Sequence, residues 1–206
     1  MNITEIFFSL QGESTFSGLP CIFIRLAECN LRCTYCDTPH SLHTGTAYSL
    51  KQILELTESN PCRLAEVTGG EPMLQPEAID LMQLLLDKGY TVLLETNGSL
   101  PLKAVPASVH IITDVKLPGS GQAESFLEEN LSCLQPGKDE IKFVCTDKAD
   151  FDYAVAFIRK HDLIRHTLLF SAVTDRLEPA LLADWILHSG LPLRLNLQLH
   201  KLLNIS

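Results

Sequence analysis

Seven short runs rich in Val, Ile, Leu and Phe recur along the chain, at residues 21–26, 64–67, 91–95, 110–115, 140–144, 167–171 and 193–199. Runs this short and this continuously apolar predict strands of a parallel sheet covered on both faces. Helical spacing fills several of the gaps between them. Ser49 and Gln52 form a capping-box pattern ahead of Ile53, Leu54 and Leu56. Pro76 stands at a first helical position, Ile79, Met82, Leu85 and Leu86 follow at helical spacing, and Gly89 closes the element. Residues 151–160, with Val155 and Ile158, and 179–189, with Leu182, Trp185 and Ile186, predict two more helices. Strand and helix in alternation predict an α/β fold of βα repeats, either an open doubly wound sheet or a partial barrel. Residues 38–48 and 118–138 contain Gly, Ser and Pro, which predicts crossovers reduced to loops.

Length and charge narrow the picture. With 206 residues and 46% hydrophobic content, a single domain over 1–206 is expected, and no internal repeat or linker interrupts it. A net charge of −9 without any Lys/Arg-rich run argues against a polymeric nucleic acid as partner. Neither a signal-peptide pattern nor an apolar run of membrane-spanning length is present, so a soluble, cytoplasmic protein is expected. Of the seven cysteines, an odd number, three are closely spaced, which suits a reducing compartment and metal ligation better than disulfides. Cys21, Cys62, Cys133 and Cys145 are scattered and read as small buried hydrophobes.

The three close cysteines carry the chemistry. Cys29, Cys33 and Cys36 form a CxxxCxxC triplet after the first apolar run. Three thiolates can hold a 4Fe-4S cluster with one iron left open for a ligand. The spacing alone also admits a structural zinc site, with His40 or His43 completing a Cys₃His set. Three further loops follow later runs: Thr68-Gly69-Gly70-Glu71-Pro72, Glu95-Thr96-Asn97-Gly98, and the segment from Asp114 through Lys116 to Gly121. Ligands gather at the carboxyl ends of parallel strands, so four such loops predict one shared site.

The triplet together with GGEP resembles the radical S-adenosylmethionine (SAM) superfamily. Adding Ser9-Leu10-Gln11-Gly12-Glu13, Phe23-Ile-Arg25-Leu, Cys36-Asp37-Thr38, Glu95-Thr96-Asn97-Gly98, Asp114-Val-Lys116 and Leu197-Gln198-Leu199-His200-Lys201, nearly the whole chain is similar to the 7-carboxy-7-deazaguanine synthase family. That resemblance implies a modified partial (β/α) barrel with about six core parallel strands. It implies a 4Fe-4S cluster on Cys29, Cys33 and Cys36, and Mg²⁺ on Thr38. SAM would meet Tyr35, Cys36, Asp37, Gly69, Gly70, Glu71, Thr96, Asn97, Lys116 and Ser120. The substrate would meet Leu10, Gln11, Gly12, Glu13, Arg25, Thr68 and His200. The implied reaction is ring contraction of 6-carboxy-5,6,7,8-tetrahydropterin to 7-carboxy-7-deazaguanine with loss of ammonia, begun by a 5′-deoxyadenosyl radical from SAM. A flavodoxin or ferredoxin as reductant and a homodimer are implied in the same way.

Plainer roles compete with several of these. Arg25 would serve equally in a surface ion pair, Asp114 and Lys116 in a strand-end pair, and His200 as a core histidine in an alternating strand. Asn97 and Gly98 suit a turn without any ligand, which leaves Thr96 as the stronger contact. Ser14 and Glu28 stand where the family usually carries glycine, and no role falls to Ser206. The rival activity is an activating enzyme that makes a glycyl radical on a partner protein.

Overall fold

The structure, a computed structural model, describes residues 1–205, so Ser206 lies outside it. One nine-stranded sheet organises those residues, in the order β3-β1-β2-β4-β5-β6-β7-β8-β9. Its parallel part contains β2 (Pro20–Leu26), β4 (Leu64–Gly69), β5 (Thr91–Thr96), β6 (His110–Asp114), β7 (Glu140–Cys145), β8 (Thr167–Ala172) and β9 (Leu193–Leu195). Each corresponds to one of the seven apolar runs. Two antiparallel strands, β1 (Asn2–Leu10) and β3 (Thr46–Ala47), extend the β2 edge. The parallel strands follow one another in chain order without the reversal of a doubly wound sheet, and the sheet does not close, so the architecture is the partial barrel.

Helices α1 (Leu50–Glu58), α2 (Glu77–Asp87), α3 (Lys148–Lys160) and α4 (Pro179–His188) occupy the predicted gaps. The α1 capping box is present in full: Gln52 N donates to Ser49 Oγ at 3.3 Å, and Ser49 N donates to Gln52 Oε1 at 2.9 Å. The third helix begins earlier than its apolar spacing indicated, because Asp147 caps it and accepts from Asp150 N at 3.0 Å. Between β6 and β7 the chain makes only 3₁₀ turns, at Pro118–Ser120 and Glu128–Cys133. The run 193–199 is a strand only to Leu195. It then bends at Gln198 into the short helix α5 (Leu199–Leu203), so His200 sits on a helical turn and not in an alternating strand.

The sheet's two faces pack differently. The main core, under the helices, includes Ile24, Leu26, Leu81, Met82, Leu85 and Phe170. A smaller cluster of Cys21, Phe23, Leu64, Leu93 and Ile112, with Phe7 and Phe16 against it, plugs the lower part of the concave face. Because strand side chains alternate, each inward-facing apolar residue is followed two positions later by another inward position. Those upper positions are Arg25, Glu95 and Asp114, with Thr68 beside Arg25 and Lys142 beside Asp114 in register. Apolar below and polar above, the half-barrel has its site at the carboxyl ends of the strands.

Ser14 and Glu28 both adopt left-handed backbone, with φ of 62° and 74°. Glycine adopts that backbone without strain, whereas a residue with a side chain does not. Ser14 gains a local bond, since its hydroxyl accepts from Phe16 N at 3.1 Å. The Glu28 side chain is exposed and offers no comparable compensation, so Glu28→Gly should stabilise the protein by up to about 1 kcal/mol, read from urea unfolding midpoints. An unchanged or lowered midpoint would count against backbone strain at Glu28.

Candidate functional site

A cavity of about 250 Å³ opens where the loops after β2, β4, β5 and β6 converge. Cys29, Cys33 and Cys36 all line it. Burial raises the Cys29 and Cys33 thiols above the usual cysteine value, a cost that bound metal would offset. Leu31 N and Asn97 Nδ2 approach Cys29 Sγ at 3.4 and 3.9 Å, an arrangement suited to stabilising an anionic sulfur. The loop is tied to its surroundings at several points. Thr34 N donates to Ser120 O at 3.0 Å, Thr34 Oγ1 to Gly119 O at 2.8 Å, and Tyr35 Oη to Val144 O at 3.2 Å.

Among the described residues, no three His, Cys, Asp or Glu side chains converge on a single ion. His40 instead meets Glu5 Oε1 at 3.2 Å. Turned to Glu5, His40 offers no fourth ligand to a Cys₃His zinc site, whereas three cysteines and an open position are the set of a 4Fe-4S cluster with one free iron.

The glycine pair after β4 is required by close packing. A Cβ on Gly69, whose φ is 147°, would collide with the Leu26 backbone, and one on Gly70 with the Glu28 carbonyl. Gly70 N donates to Leu26 O at 3.1 Å and Glu71 N to Glu28 O at 2.8 Å, binding this loop to the start of the cysteine loop. Gly69 and Gly70 line the cavity, but Glu71 and Ser120 do not. The Glu71 carboxylate is consumed as a brace, accepting from Thr96 Oγ1 at 2.8 Å, Asn97 N at 2.7 Å and Met73 N at 3.0 Å. Ser120 donates to Leu117 O within its own turn. Both side chains are thus engaged within the protein, and any contact they make with a ligand falls to their backbone.

The remaining expected residues meet at the cavity: Leu10, Gln11, Gly12, Glu13, Arg25, Tyr35, Asp37, Thr38, Thr68, Thr96, Asn97, Lys116 and His200. Arg25 is ion-paired to Glu5 through Nε at 2.8 Å. That pairing leaves its two terminal nitrogens without a partner among the described residues. Phe7 stacks on Phe23 with centroids 4.8 Å apart beneath the Arg25 guanidinium, giving the cavity a flat aromatic wall. Asp114 and Lys116 form the expected pair at 2.7 Å and also line the cavity.

Two residues important to the site were not anticipated, Glu66 and Lys142. Lys142 is 5% exposed and contacts Glu13 at 3.0 Å, Glu95 more closely still, and Asp114 at 4.0 Å. Burial alone would lower the Lys142 ammonium, yet the three carboxylates carry it well above the usual lysine value. Burial likewise works to raise Glu13, but Lys142 holds it below the ordinary carboxylate value. Charged residues inside the apolar runs Leu-Ala-Glu66-Val and Glu-Ile-Lys142-Phe-Val were the available signal.

Segments distant in sequence close the side of the cavity. Leu199 N donates to Gly12 O at 2.9 Å, Ser14 N to Asn196 Oδ1 at 3.0 Å, and Gln198 Nε2 to Glu13 Oε1 at 2.8 Å. A Cβ on Gly12 would overlap the His200 ring. The LQGE and QLHK segments therefore form one clasp across the opening between β1 and β9.

Residues 24–112 match the model of the Radical SAM superfamily. The chain is 44% identical to the 7-carboxy-7-deazaguanine synthase of Koribacter versatilis, covering 98% of this chain and 96% of that one. It is also 44% identical to the synthase of Chlorobaculum tepidum, over 98% and 93% of the two chains. In fold it is similar to the crystal structure of QueE from Escherichia coli, with a TM-score of 0.78 and 24% identity over 97% and 94% of the chains.

Proposed function

The chain belongs to the 7-carboxy-7-deazaguanine synthase family of radical SAM enzymes, and on that footing we propose how its residues divide the work. Cys29, Cys33 and Cys36 hold the 4Fe-4S cluster. Gly69, Gly70, Thr96, Asn97 and Lys116 surround SAM, and Tyr35 and Asp37 border it from the cysteine loop. When bound, the cluster and SAM supply the one-electron chemistry that starts the ring contraction.

The substrate is 6-carboxy-5,6,7,8-tetrahydropterin, and the observation that carries this is Arg25. Arg25 lines the same cavity as His200 and the stacked Phe7 and Phe23, and its terminal nitrogens have no partner among the described residues, an arrangement suited to a flat, carboxylated heterocycle. An activating enzyme acting on a polypeptide would leave these groups without a role. The clasp of residues 10–14 and 196–200 keeps water from the reacting centre. Thr38 lines the cavity two residues beyond Cys36 and offers a hydroxyl to Mg²⁺, which the substrate's oxygens would complete. The protein acts in the cytoplasm as a homodimer and receives electrons from a flavodoxin or ferredoxin.

Anaerobically reconstituted protein, given reductant, SAM, Mg²⁺ and 6-carboxytetrahydropterin, should yield 7-carboxy-7-deazaguanine by mass spectrometry. SAM cleavage without that product would remove the substrate assignment. Thr38→Ala should lose Mg²⁺ stimulation while keeping the cluster's visible absorption, and an unaltered Mg²⁺ response would exclude Thr38 as a ligand.

A further inference from the structure

Glu66 occupies an unusual position. It sits on β4 with 2% exposure, between Phe23 and Leu93 in register, both members of the apolar plug. Even so, it lines the cavity. Glu66 Oε2 accepts from Gln11 Nε2, and Gln11 Oε1 accepts from Glu13 N at 2.9 Å, which fixes the orientation of that amide. Glu13 and Glu95 are both bonded to Lys142. Glu66 and Glu95 face each other, so Gln11, Glu66, Glu95, Lys142 and Glu13 form one contiguous polar cluster lining the cavity.

The nearby cations are bonded elsewhere, although the Lys142 charge still favours an ionised Glu66 while Glu95 and Glu13 oppose it. Lys142 is committed to Glu13, Glu95 and Asp114, and Arg25 is tied to Glu5. From β2, Glu66 otherwise meets the buried thiol of Cys21. An ionised carboxylate there would be a buried charge with no cation bonded to it, against the carboxylates of Glu95 and Glu13. Burial, and then the charge of Glu95, push the Glu66 carboxyl well above the ordinary range.

We propose that Glu66 acts as a neutral acid which, beside anionic Glu95, selects a heterocycle bearing a 2-amino-4-oxo pyrimidine edge. The inference rests on the pterin reading above. That edge presents, in a row, a carbonyl acceptor, a lactam N–H and an exocyclic amine. A carboxylate takes the two adjacent donors, and a second carboxylate would then oppose the carbonyl oxygen, acceptor against acceptor. A carboxylic acid at that position donates instead. Glu66 is thus a specificity-determining residue that exchanges its donor bond to Glu95 for one to the ligand, with no net transfer of a proton.

The test uses pterin-6-carboxylate, an unreactive fluorescent probe, titrated into wild type and Glu66→Gln across pH. Wild-type affinity should fall by up to about tenfold per pH unit as pH rises through the Glu66 value. The amide introduced by E66Q still donates but does not ionise, so this variant should keep its affinity at neutral pH and lose that dependence. The probe's own ionisation is common to both proteins. Difference infrared spectra of the unliganded proteins should show the carbonyl stretch of a protonated carboxyl in wild type that is missing from E66Q. Identical pH profiles with binding intact, or no such band, would overturn the role of Glu66. Binding to neither protein, with the band present, would instead overturn the pterin reading and with it the selection of that edge.

Discussion

Lys142→Met is expected to destabilise the protein by about 3–5 kcal/mol and to abolish turnover, because it removes the one cation shared by Glu13, Glu95 and Asp114. Methionine fills a similar volume, so lost charge and not a cavity dominates. The effect should depend on pH with a definite sign. In wild type, the Glu13 contribution is present above the unfolded carboxylate value and fades as pH falls through its lowered folded value. The Lys142 contribution is full below the unfolded lysine value and is lost only as pH rises through its raised folded value. Without Lys142, the buried carboxylates take up protons more readily, and protonation relieves their repulsion. The gap in urea stability between wild type and Lys142→Met should therefore narrow toward acid pH. A gap that stays constant with pH would show that packing, not charge, is what Lys142 provides.

Gly70→Ala is expected to have the second largest effect, several-fold loss of iron and sulfide after anaerobic reconstitution. The added Cβ would fall 2.5 Å from the Glu28 carbonyl carbon and 2.8 Å from Cys29 Cβ, besides colliding with the Glu28 oxygen. Backbone atoms cannot rotate aside, so the cysteine loop must shift, at a cost of about 1–3 kcal/mol. Gly89→Ala is the control. Gly89 also has a positive φ, 79°, but nothing lies within 4 Å of its Cβ position, so only backbone strain of about 1–2 kcal/mol should appear. Equal cluster loss in both variants would refute the steric account.

What could be read in the sequence follows from burial. Six of the seven parallel strands stood out because both faces are covered, so each run is apolar almost throughout, whereas the edge strand β9 has no buried residue. Strand β1 escaped notice because it is antiparallel and only half-buried, and its pattern Asn-Ile-Thr-Glu-Ile-Phe-Phe-Ser-Leu resembles neither a buried run nor a clean alternation. The cysteine and glycine loops announced themselves through local spacing. Glu66 and Lys142 did not, since a charged residue inside an apolar run has no local signature of its partner. Ser14 and Glu28, conspicuous only as departures from glycine, proved to mark left-handed backbone. His200 was drawn into the wrong element because Leu193, Leu195, Leu197 and Leu199 alternate like a strand, although helix begins at Leu199.

The clasp also bears on when the enzyme becomes competent during synthesis. Ser14 and Asn196 are separated by 182 positions, and Glu13 and Gln198 by 185. Closing so long a loop carries a large entropic cost, offset only once the intervening strands have brought the two segments together. On the ribosome, the parallel strands emerge and pair in order, while the cavity's side wall waits for residues 196–200 to leave the exit tunnel. A nascent chain can hence assemble most of its sheet and its cysteine loop before it can enclose a substrate, so metal loading can precede catalytic competence within a single round of translation.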